Sequence, residues 1–330
     1  MAKRDLVGID VSAETVVVVV ERARRVLGPR EFANDGRGHR LLCRWLMRGG
    51  RTARIAFEAS GIYHLDLALA LHRAGLEVMV VNPRAMRAFA NALVERSKTD
   101  PLDAHVCLEF ARRMPFTPWN PPAPEVLALR ALARRIAATT KTVAQEKNRL
   151  HATRHSRELP EALAAEIQAH LDYLAASIRR LATQARELIA KHPELERRFQ
   201  HLVSVKGIAE ASATQLLAEL AVLPEDMEVR EWVAHAGLDP RHFESGSSVH
   251  KPSRISRKGN RYLRSALYMP ALVASQYEPR VRAYYEELLV RGKKPLQALV
   301  AVMRKLLHAI YGMFLNDEDF DGRKFYRLKA

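Results

Sequence analysis

Cysteine is almost missing from this 330-residue chain: only Cys43 and Cys107 occur. They fit no zinc-ligand spacing and no disulfide framework, and they read as reduced thiols of a cytoplasmic protein. No apolar run approaches the roughly 20 residues that cross a bilayer. Thr15–Val20 is too short for that and reads as a strand. The opening Met-Ala-Lys-Arg-Asp leads straight into that strand region, so no signal peptide is expected. There is no Gly-rich phosphate loop ending in Lys, which excludes Walker-type nucleotide chemistry. Internal repeats and low-complexity tracts are also missing. Acidic charge is in deficit: 37 Asp plus Glu face 53 Lys plus Arg, a formal net charge of +16. Such an excess favours phosphate backbones, so nucleic acid is the expected partner.

The pattern along the chain predicts α/β followed by all-α structure. Asp5–Val11 and the valine-dense Thr15–Arg22 read as a hairpin across Ser12–Glu14. A polar loop, a helix over Gly38–Arg48, a strand over Arg54–Glu58, a helix over Ile62–Ala74 and a strand over Leu76–Val81 follow. This alternation predicts a mixed sheet layered with helices in a first domain, residues 1–114. Residues 115–124 carry so much proline that they read as a stiff linker. Beyond it, Leu129, Leu132, Ile136, Val143 and Leu150 recur at helical steps, and Ile167, Leu174, Leu181 and Leu188 recur every heptad. With Pro160 between the runs, 115–198 reads as two long helices in an antiparallel hairpin or a dimerising coiled coil. Residues 199–330 read as a third, mostly helical domain.

Four acids stand out against the basic background: Asp10, Glu58, Asp100 and Asp103. Asp10 and Glu58 sit at comparable points of two strands, where a solvated strand end would account for each alone. Pro101 suits a first helical position, which makes Asp100 a natural N-cap and puts Asp103 in a first turn favoured by the helix dipole. The three-residue spacing also sets both carboxylates on one helical face. Together the four read as a metal site. Mg²⁺ takes hard oxygen ligands, and two such ions about 4 Å apart clamp the attacking and leaving oxygens of a phosphodiester.

A second centre lies between Ser245 and Tyr277, a stretch with no acidic residue. It carries Lys251, Arg254, Arg257, Lys258, Arg261 and Arg264, with His250 beside them, as candidate nucleic-acid contacts. The polar turn Phe243–His250 places Ser245, Ser247 and Ser248 next to these cations. A serine there could attack phosphorus while Arg and Lys stabilise the developing charge, and spacing does not choose among the three. Val203–Glu210 resembles a helix-hairpin-helix turn, or a plain packing corner.

With these residues in view, the chain resembles the DEDD-type transposases of the insertion-sequence-110 family, the bridge-RNA-guided recombinases. The resemblance rests on Gly-Ile-Asp at 8–10, Glu-Ala-Ser-Gly-Ile-Tyr at 58–63, Val-Asn-Pro at 81–83 and Lys-Thr-Asp-Pro-Leu-Asp-Ala at 98–104. It continues through Ala-Gly-Leu-Asp-Pro at 236–240, Glu-Ser-Gly-Ser-Ser-Val at 244–249 and Arg-Lys-Gly-Asn-Arg-Tyr-Leu-Arg at 257–264. It implies a RuvC-like, ribonuclease-H-type first domain and a C-terminal transposase domain. Asp10, Glu58, Asp100 and Asp103 would hold Mg²⁺ or Mn²⁺, and Ser245 would be the nucleophile. DNA would be cut and rejoined through a phosphoserine, with an element-encoded RNA pairing to donor and target DNA. Dimers would combine into tetramers, the acids of one subunit serving the serine of another, in a bacterial cytoplasm and on the nucleoid. Two segments depart from the family pattern: Val205–Ala209 lacks a proline and a second glycine, and His250-Lys251-Pro252 stands where a glycine is common. The alternative functions are a metal-dependent RuvC-like nuclease or junction resolvase without a covalent step, and a non-catalytic nucleic-acid-binding protein.

Overall fold

The valine run lies in β2 (Thr15–Arg22), paired antiparallel with β1 (Arg4–Val11) so that Ile9 faces Val18 and Asp10 faces Val17. The structure is a computed structural model that describes residues 4–93, 99–156, 158–245 and 249–328, with backbone alone over 241–245 and 249–253. Two units divide the chain, Met1–Pro121 and Pro122–Ala330.

In the first unit β2 turns directly into β3 (Arg25–Ala33) through Ala23 and Arg24, both at positive φ. Two successive positive φ values are the geometry of a tight hairpin turn whose twist matches the strands. The polar loop expected after Arg22 is therefore a strand. Only Phe32 of β3 is buried, and an edge strand exposed to water needs no apolar alternation and tolerates Pro29. After α1 (Gly36–Leu46) comes β4 (Thr52–Glu58), parallel to β1. Then follow α2 (Leu65–Arg73), β5 (Glu77–Val81) parallel to β4, α3 (Pro83–Ala92) and α4 (Asp100–Arg113). The sheet order is β3-β2-β1-β4-β5.

Strand alternation sorts this sheet into two faces. Val7, Ile9, Val18, Ile55 and Phe57 pack with Leu42 and Leu46 of α1 and Leu67 and Leu71 of α2. On the other face Ala56, Met79 and Val81 pack with Met86 of α3 and Val106, Cys107 and Phe110 of α4. Val17 and Val19 meet Ala104 and Leu108 there. Asp5, fully buried at the start of β1, is held by Arg22 Nε at 2.9 Å and Arg51 Nε at 2.8 Å. Burial raises its carboxyl, but the Arg51 and Arg22 hydrogen bonds outweigh that and keep it below the ordinary range.

The second unit begins with α5 (Pro124–His155) and α6 (Glu161–Lys191). His192 Nδ1 lies 3.8 Å from Glu125 and His170 Nδ1 lies 3.9 Å from Glu146, a register that only an antiparallel pair produces. Then come α7 (Pro193–Ser204), α8 (Glu210–Leu220), α9 (Val229–Ala236), β6 (Pro240–Ser245) and β7 (Val249–Ile255). The chain continues through α10 (Arg261–Tyr277), α11 (Pro279–Val290), α12 (Pro295–Asn316) and α13 (Gly322–Phe325). Leu129, Ala133 and Ile189 share one core with Leu217, Leu267 and Leu306. The bases of the long helices thus pack with the C-terminal helices in a single unit.

Gly207, between α7 and α8, has φ +112°, and a Cβ there would lie 2.8 Å from the Pro270 carbonyl oxygen of α10. The Val203–Glu210 turn is a close-packed corner. By length and composition α12 suffices to cross a membrane, although no such run is expected from the sequence. Its buried residues Ala298, Leu299, Val302, Met303, Leu306, Leu307, Ile310 and Met313 follow a helical stripe turned into the core.

Candidate active site

The acid site begins with a glycine. Gly8 of β1 pairs with Ala56 of β4, so two of the smallest residues lie side by side on the face covered by α4. A Cβ on Gly8 would fall 2.1 Å from the Ala104 carbonyl oxygen and 2.2 Å from the Leu108 nitrogen. Its missing side chain lets the helix lie directly on the strand. Two residues further on, the same face presents Asp10 from β1 and Glu58 from β4, just after the Ile9–Phe57 pair. The first turn of α4, one turn before Ala104, carries Asp100 and Asp103.

The electrostatics register this convergence. Asp10 is half-buried, and its carboxyl is pushed up to about 6 by burial, then by the negative charges of Asp103, Asp100 and Glu58, against a lowering hydrogen bond from the Val11 backbone. Cys107 follows Asp103 by one helical turn and is buried below them. Its thiol is pushed far up by burial and by the charges of Asp10, Glu58 and Asp103, against a lowering hydrogen bond with the Glu58 backbone. Among the described residues no three His, Cys, Asp or Glu side chains stand in a geometry that could hold a metal ion. The four acids share a field without forming a finished coordination cage.

Asp100 is not the N-cap expected from Pro101. It is the first residue of α4, and the cap position belongs to Thr99, whose side chain makes no capping bond. The extended Thr99 backbone starts the helix one residue early, so the Asp100 carboxylate is not drawn into capping. The loop after Glu58 is pinned by Ser60 Oγ donating to the Val11 carbonyl at 3.2 Å and Asn34 Nδ2 donating to the Tyr63 carbonyl at 3.1 Å. It holds Ile62, 80% exposed, and the exposed Tyr63 beside the acids.

In the second unit Ser245 is the last residue of β6, paired with Val249 of β7. The turn read as a polar loop is thus the tip of a β-hairpin. Ser247 and Ser248 lie outside the described residues, as do the side chains of Ser245, His250 and Lys251. Arg254, Arg257, Lys258 and Arg261 are exposed. Arg264 differs: its Nη1 donates to the Ala236 carbonyl at 2.8 Å, fastening α10 to the end of α9.

Sequence reasoning missed the group that anchors this region. Glu219 of α8 is 1% exposed. It accepts from Arg134 Nε at 2.7 Å, Arg130 Nε at 3.2 Å and Asn260 Nδ2 at 2.6 Å. Burial raises the Glu219 carboxyl, but Arg134, Arg130 and Asn260 hold it below the ordinary range. Asn260 also caps α10, accepting from the Tyr262 nitrogen at 2.9 Å. One carboxylate therefore ties α5, α8 and the start of α10 together, immediately after the basic turn Arg257-Lys258. A glutamate within the apolar Gln-Leu-Leu-Ala-Glu-Leu run was the available signal, since an unpaired charge is not tolerated there.

Carboxylates gathered on a mixed sheet, joined in one basic chain to a helical unit with an exposed cationic turn, are the make-up of an enzyme that cuts and transfers DNA strands. Comparison with known proteins gives the same class. Residues 7–154 match the DEDD transposase model of the IS110 type, and residues 199–286 match the transposase model of the IS116/IS110/IS902 family. The chain is 30% identical over 301 residues to the pilin gene-inverting protein of Moraxella bovis, spanning 88% of this chain and 90% of that protein. Its counterpart in Moraxella lacunata matches to the same extent. An IS110 insertion-element protein of Streptomyces coelicolor is 28% identical over 145 residues, 44% of this chain and 35% of that protein. The chain belongs to the IS110 family of transposases and is a DNA transposase or recombinase.

Proposed function

We propose that the protein cuts and rejoins donor and target DNA through a phosphoserine at Ser245, with a divalent ion held by Asp10, Glu58, Asp100 and Asp103 and with an RNA guide selecting the sites. The observation that carries the metal part of this reading is the placement of Asp10 and Glu58 on one face of β1 and β4, with Asp100 and Asp103 in the first turn of the helix that lies on Gly8 and with burial and their charges raising the Asp10 carboxyl. The four are hard-oxygen donors of the kind Mg²⁺ or Mn²⁺ takes, and without an ion they raise one another's charging cost and stand short of a coordination cage. When bound, such an ion supplies Lewis-acid stabilisation of the charge on the phosphoryl oxygens. The strand order β3-β2-β1-β4-β5, antiparallel then parallel, supports a RuvC-like first domain.

The serine hydroxyl loses its proton and its Oγ bonds to phosphorus. The phosphodiester P–O bond breaks, and the departing strand end takes up a proton. A hydroxyl of the incoming strand reverses the step and releases Ser245. One P–O bond is made for each one broken, so rejoining needs no ATP. The exposed Arg254, Arg257, Lys258 and Arg261 supply positive charge beside the serine hairpin. The α5–α6 hairpin supports a role in dimerisation, with tetramers in which acids from one subunit serve the serine of another. Excess positive charge suits RNA as well as DNA.

The test is a denaturing gel of protein incubated with end-labelled DNA, RNA and Mg²⁺. Wild type gives a protein–DNA adduct and exchanged strands. Ser245→Ala loses both, by on the order of a thousandfold or more, and still binds RNA. An adduct that persists in this variant refutes the role of the serine. Hydrolysis by wild type without any adduct identifies a metal-dependent nuclease instead.

A further inference from the structure

Results

Sequence analysis

Cysteine is almost missing from this 330-residue chain: only Cys43 and Cys107 occur. They fit no zinc-ligand spacing and no disulfide framework, and they read as reduced thiols of a cytoplasmic protein. No apolar run approaches the roughly 20 residues that cross a bilayer. Thr15–Val20 is too short for that and reads as a strand. The opening Met-Ala-Lys-Arg-Asp leads straight into that strand region, so no signal peptide is expected. There is no Gly-rich phosphate loop ending in Lys, which excludes Walker-type nucleotide chemistry. Internal repeats and low-complexity tracts are also missing. Acidic charge is in deficit: 37 Asp plus Glu face 53 Lys plus Arg, a formal net charge of +16. Such an excess favours phosphate backbones, so nucleic acid is the expected partner.

The pattern along the chain predicts α/β followed by all-α structure. Asp5–Val11 and the valine-dense Thr15–Arg22 read as a hairpin across Ser12–Glu14. A polar loop, a helix over Gly38–Arg48, a strand over Arg54–Glu58, a helix over Ile62–Ala74 and a strand over Leu76–Val81 follow. This alternation predicts a mixed sheet layered with helices in a first domain, residues 1–114. Residues 115–124 carry so much proline that they read as a stiff linker. Beyond it, Leu129, Leu132, Ile136, Val143 and Leu150 recur at helical steps, and Ile167, Leu174, Leu181 and Leu188 recur every heptad. With Pro160 between the runs, 115–198 reads as two long helices in an antiparallel hairpin or a dimerising coiled coil. Residues 199–330 read as a third, mostly helical domain.

Four acids stand out against the basic background: Asp10, Glu58, Asp100 and Asp103. Asp10 and Glu58 sit at comparable points of two strands, where a solvated strand end would account for each alone. Pro101 suits a first helical position, which makes Asp100 a natural N-cap and puts Asp103 in a first turn favoured by the helix dipole. The three-residue spacing also sets both carboxylates on one helical face. Together the four read as a metal site. Mg²⁺ takes hard oxygen ligands, and two such ions about 4 Å apart clamp the attacking and leaving oxygens of a phosphodiester.

A second centre lies between Ser245 and Tyr277, a stretch with no acidic residue. It carries Lys251, Arg254, Arg257, Lys258, Arg261 and Arg264, with His250 beside them, as candidate nucleic-acid contacts. The polar turn Phe243–His250 places Ser245, Ser247 and Ser248 next to these cations. A serine there could attack phosphorus while Arg and Lys stabilise the developing charge, and spacing does not choose among the three. Val203–Glu210 resembles a helix-hairpin-helix turn, or a plain packing corner.

With these residues in view, the chain resembles the DEDD-type transposases of the insertion-sequence-110 family, the bridge-RNA-guided recombinases. The resemblance rests on Gly-Ile-Asp at 8–10, Glu-Ala-Ser-Gly-Ile-Tyr at 58–63, Val-Asn-Pro at 81–83 and Lys-Thr-Asp-Pro-Leu-Asp-Ala at 98–104. It continues through Ala-Gly-Leu-Asp-Pro at 236–240, Glu-Ser-Gly-Ser-Ser-Val at 244–249 and Arg-Lys-Gly-Asn-Arg-Tyr-Leu-Arg at 257–264. It implies a RuvC-like, ribonuclease-H-type first domain and a C-terminal transposase domain. By the same resemblance, Asp10, Glu58, Asp100 and Asp103 would hold Mg²⁺ or Mn²⁺, and Ser245 would be the nucleophile. DNA would be cut and rejoined through a phosphoserine, with an element-encoded RNA pairing to donor and target DNA. Dimers would combine into tetramers, the acids of one subunit serving the serine of another, in a bacterial cytoplasm and on the nucleoid. Two segments depart from the family pattern: Val205–Ala209 lacks a proline and a second glycine, and His250-Lys251-Pro252 stands where a glycine is common. The alternative functions are a metal-dependent RuvC-like nuclease or junction resolvase without a covalent step, and a non-catalytic nucleic-acid-binding protein.

Overall fold

The valine run lies in β2 (Thr15–Arg22), paired antiparallel with β1 (Arg4–Val11) so that Ile9 faces Val18 and Asp10 faces Val17. The structure is a computed structural model that describes residues 4–93, 99–156, 158–245 and 249–328, with backbone alone over 241–245 and 249–253. Two units divide the chain, Met1–Pro121 and Pro122–Ala330.

In the first unit β2 turns directly into β3 (Arg25–Ala33) through Ala23 and Arg24, both at positive φ. Two successive positive φ values are the geometry of a tight hairpin turn whose twist matches the strands. The polar loop expected after Arg22 is therefore a strand. Only Phe32 of β3 is buried, and an edge strand exposed to water needs no apolar alternation and tolerates Pro29. After α1 (Gly36–Leu46) comes β4 (Thr52–Glu58), parallel to β1. Then follow α2 (Leu65–Arg73), β5 (Glu77–Val81) parallel to β4, α3 (Pro83–Ala92) and α4 (Asp100–Arg113). The sheet order is β3-β2-β1-β4-β5.

Strand alternation sorts this sheet into two faces. Val7, Ile9, Val18, Ile55 and Phe57 pack with Leu42 and Leu46 of α1 and Leu67 and Leu71 of α2. On the other face Ala56, Met79 and Val81 pack with Met86 of α3 and Val106, Cys107 and Phe110 of α4. Val17 and Val19 meet Ala104 and Leu108 there. Asp5, fully buried at the start of β1, is held by Arg22 Nε at 2.9 Å and Arg51 Nε at 2.8 Å. Burial raises its carboxyl, but the Arg51 and Arg22 hydrogen bonds outweigh that and keep it below the ordinary range.

The second unit begins with α5 (Pro124–His155) and α6 (Glu161–Lys191). His192 Nδ1 lies 3.8 Å from Glu125 and His170 Nδ1 lies 3.9 Å from Glu146, a register that requires an antiparallel pair. Then come α7 (Pro193–Ser204), α8 (Glu210–Leu220), α9 (Val229–Ala236), β6 (Pro240–Ser245) and β7 (Val249–Ile255). The chain continues through α10 (Arg261–Tyr277), α11 (Pro279–Val290), α12 (Pro295–Asn316) and α13 (Gly322–Phe325). Leu129, Ala133 and Ile189 share one core with Leu217, Leu267 and Leu306. The bases of the long helices thus pack with the C-terminal helices in a single unit.

Gly207, between α7 and α8, has φ +112°, and a Cβ there would lie 2.8 Å from the Pro270 carbonyl oxygen of α10. The Val203–Glu210 turn is a close-packed corner. By length and composition α12 suffices to cross a membrane, although no such run is expected from the sequence. Its buried residues Ala298, Leu299, Val302, Met303, Leu306, Leu307, Ile310 and Met313 follow a helical stripe turned into the core.

Candidate active site

The acid site begins with a glycine. Gly8 of β1 pairs with Ala56 of β4, so two of the smallest residues lie side by side on the face covered by α4. A Cβ on Gly8 would fall 2.1 Å from the Ala104 carbonyl oxygen and 2.2 Å from the Leu108 nitrogen. Its missing side chain lets the helix lie directly on the strand. Two residues further on, the same face presents Asp10 from β1 and Glu58 from β4, just after the Ile9–Phe57 pair. The first turn of α4, one turn before Ala104, carries Asp100 and Asp103.

The electrostatics register this convergence. Asp10 is half-buried, and its carboxyl is pushed up to about 6 by burial, then by the negative charges of Asp103, Asp100 and Glu58, against a lowering hydrogen bond from the Val11 backbone. Cys107 follows Asp103 by one helical turn and is buried. Its thiol is pushed far up by burial and by the charges of Asp10, Glu58 and Asp103, against a lowering hydrogen bond with the Glu58 backbone. Among the described residues no three His, Cys, Asp or Glu side chains stand in a geometry that could hold a metal ion. The four acids share a field without forming a finished coordination cage.

Asp100 is not the N-cap expected from Pro101. It is the first residue of α4, and the cap position belongs to Thr99, whose side chain makes no capping bond. The extended Thr99 backbone starts the helix one residue early, so Asp100 stands inside the first turn. The loop after Glu58 is pinned by Ser60 Oγ donating to the Val11 carbonyl at 3.2 Å and Asn34 Nδ2 donating to the Tyr63 carbonyl at 3.1 Å. It holds Ile62, 80% exposed, and the exposed Tyr63 just beyond Glu58.

In the second unit Ser245 is the last residue of β6, paired with Val249 of β7. The turn read as a polar loop thus belongs to a β-hairpin. Ser247 and Ser248 lie outside the described residues, as do the side chains of Ser245, His250 and Lys251. Arg254, Arg257, Lys258 and Arg261 are exposed. Arg264 differs: its Nη1 donates to the Ala236 carbonyl at 2.8 Å, fastening α10 to the end of α9.

Sequence reasoning missed the group that anchors this region. Glu219 of α8 is 1% exposed. It accepts from Arg134 Nε at 2.7 Å, Arg130 Nε at 3.2 Å and Asn260 Nδ2 at 2.6 Å. Burial raises the Glu219 carboxyl, but Arg134, Arg130 and Asn260 hold it below the ordinary range. Asn260 also caps α10, accepting from the Tyr262 nitrogen at 2.9 Å. One carboxylate therefore ties α5, α8 and the start of α10 together, immediately after the basic turn Arg257-Lys258. A glutamate within the apolar run Gln215–Leu220 was the available signal, since an unpaired charge is not tolerated there.

Carboxylates gathered on a mixed sheet, joined in one basic chain to a helical unit with an exposed cationic turn, are the make-up of an enzyme that cuts and transfers DNA strands. Comparison with known proteins gives the same class. Residues 7–154 match the DEDD transposase model of the IS110 type, and residues 199–286 match the transposase model of the IS116/IS110/IS902 family. The chain is 30% identical over 301 residues to the pilin gene-inverting protein of Moraxella bovis, spanning 88% of this chain and 90% of that protein. Its counterpart in Moraxella lacunata matches to the same extent. An IS110 insertion-element protein of Streptomyces coelicolor is 28% identical over 145 residues, 44% of this chain and 35% of that protein. The chain belongs to the IS110 family of transposases and is a DNA transposase or recombinase.

Proposed function

We propose that the protein cuts and rejoins donor and target DNA through a phosphoserine at Ser245, with a divalent ion held by Asp10, Glu58, Asp100 and Asp103 and with an RNA guide selecting the sites. The observation that carries the metal part of this reading is the placement of Asp10 and Glu58 on one face of β1 and β4, with Asp100 and Asp103 in the first turn of the helix that lies on Gly8 and with burial and their charges raising the Asp10 carboxyl. The four are hard-oxygen donors of the kind Mg²⁺ or Mn²⁺ takes, and without an ion they raise one another's charging cost and stand short of a coordination cage. When bound, such an ion supplies Lewis-acid stabilisation of the charge on the phosphoryl oxygens. The strand order β3-β2-β1-β4-β5, antiparallel then parallel, supports a RuvC-like first domain.

The serine hydroxyl loses its proton and its Oγ bonds to phosphorus. The phosphodiester P–O bond breaks, and the departing strand end takes up a proton. A hydroxyl of the incoming strand reverses the step and releases Ser245. One P–O bond is made for each one broken, so rejoining needs no ATP. The exposed Arg254, Arg257, Lys258 and Arg261 supply positive charge on and after the serine hairpin. The α5–α6 hairpin supports a role in dimerisation, with tetramers in which acids from one subunit serve the serine of another. Excess positive charge suits RNA as well as DNA.

The test is a denaturing gel of protein incubated with end-labelled DNA, RNA and Mg²⁺. Wild type gives a protein–DNA adduct and exchanged strands. Ser245→Ala loses both, by on the order of a thousandfold or more, and still binds RNA. An adduct that persists in this variant refutes the role of the serine. Hydrolysis by wild type without any adduct identifies a metal-dependent nuclease instead.

A further inference from the structure

The C-terminal segment builds a cleft of about 900 Å³ in which Arg280, Lys305, Arg323, Lys324 and Arg327 gather around Phe325 and Tyr326. No acid lines it. Lys324 is neutralised by Glu318, and Glu287 takes Arg291 and the Tyr326 hydroxyl. Arg280 spends only a long bond, 3.4 Å, on the Tyr326 carbonyl. Among the described residues Arg323 and Arg327 make no ion pair, and both are exposed.

Aromatic rings form the inner wall. Lys305 Nζ stands 4.1 Å from the centre of the Tyr284 ring and 5.1 Å from those of Phe325 and Tyr326. Three rings around one ammonium fix its position. Burial lowers the Lys305 ammonium below its ordinary value, with Glu287 opposing, so a nearby anion would favour its charged form. Along α12 the exposed Arg304 extends the positive field, while burial, Arg304 and Lys305 all disfavour a charge on the half-buried His308 imidazole. Cations tracking a backbone, beside aromatic faces that bases can stack on, are the two elements of single-strand recognition.

We propose that this cleft is a binding site for single-stranded nucleic acid, gripping phosphodiester groups with Arg280, Arg323 and Arg327 and offering Tyr326 to an unstacked base. It lies outside the basic stretch Lys251–Arg264 and takes no part in the strand chemistry. Its occupant is a single strand, from RNA or from opened DNA.

The test uses full-length protein with fluorescent oligouridylate, oligothymidylate and a DNA duplex of equal length, titrated across a range of salt. In Arg323→Gln/Arg327→Gln, single-strand affinity falls about tenfold and the slope of log K against log salt flattens by about 1.4, two contacts at about 0.7 each. Loss with oligouridylate alone assigns the site to RNA, loss with oligothymidylate alone to DNA, and loss with both to either strand. Unchanged binding to both single strands, or an equal loss with the duplex, overturns the proposal. As a second measurement, photocrosslinking of 5-iodouridine oligonucleotides to the wild-type protein should label the peptide containing Phe325–Leu328. Absence of that peptide among the crosslinked products also overturns it. Binding is read without Mg²⁺ and without strand exchange, so failure of the serine chemistry and failure of this site remain distinguishable.

Discussion

Gly8 and Ala104 touch so closely that the strand and the helix leave no space for a methyl group: a Cβ on Gly8 would sit 2.1 Å from the Ala104 carbonyl oxygen. Through this contact the first turn of α4 brings Asp100 and Asp103 within electrostatic reach of Asp10.

Gly8→Ala should therefore push α4 away from β1. Overpacking of this kind costs about 1–3 kcal/mol, read as a lower melting temperature. The acids should separate with it, so Mg²⁺ should stabilise the variant less than it stabilises wild type. An unchanged Mg²⁺-induced rise in melting temperature would argue against the contact as the organiser of the site.

Asp10 predicts an unusual pH response in metal-free protein. Its carboxyl is raised from 3.8 to about 6 in the folded state, so the fold binds that proton more tightly than the unfolded chain does. The penalty is absent below the unfolded value, grows between the two and is complete above about 6. Asp10→Asn should remove it. The variant should melt higher than wild type at neutral pH without metal, the gap should close toward pH 4, and only wild type should gain from added Mg²⁺. Equal melting curves at neutral pH would show that Asp10 bears no such penalty.

Glu219→Ala should leave Arg130 and Arg134 without their shared carboxylate. Breaking a buried pair costs about 3–5 kcal/mol, and the partial exposure of both arginines places this case nearer about 2–3 kcal/mol. Asn260→Ala, which also removes a helix cap, should cost about 1 kcal/mol or somewhat more. Urea denaturation of the two single variants and the double variant should show non-additive losses, because both act on one network. Strict additivity would mean that Asn260 and Glu219 are independent.

His201 predicts a second pH effect, of opposite sense. The imidazole lies between Asp319 at 2.8 Å and Asp317 at 3.0 Å. Burial lowers its pKa, but hydrogen bonds and charge from Asp317 and Asp319 outweigh that and raise it above 6.5. Its contribution is fully present below the unfolded value and is lost as pH rises through the folded one. Amide exchange over residues 317–321, corrected for intrinsic rates, should show protection falling as pH rises, and His201→Gln should flatten that dependence. The same slope in the variant would assign it to another group.

Much of the first unit was legible from the chain alone. Valines in β2 and apolar alternation in β4 reflect burial on a sheet, and burial constrains residue type strongly. β3 escaped notice because an exposed edge strand carries little of that constraint, and Arg-rich sequence with Gly28-Pro29 reads as loop. The β6–β7 hairpin was hidden for a similar reason, with Pro240 and Pro252 in a two-stranded sheet. The polar network around Glu219 left almost no local trace, since its arginine partners lie 85 and 89 residues away.

The sequence by itself determined the residue types, the order of strands and helices, and the family to which their motifs point. Local periodicity and short-range spacing follow from the chemistry of neighbouring residues, so they can be read without coordinates. Only the tertiary structure decided that Asp10, Asp100, Asp103 and Glu58 act on one another, that Thr99 starts α4, and that Arg280, Lys305 and Arg323 line one cleft. Electrostatic and packing forces act through space, and their partners were set by how closely α4 lies on Gly8 and how the last helices fold back on α11 and α12.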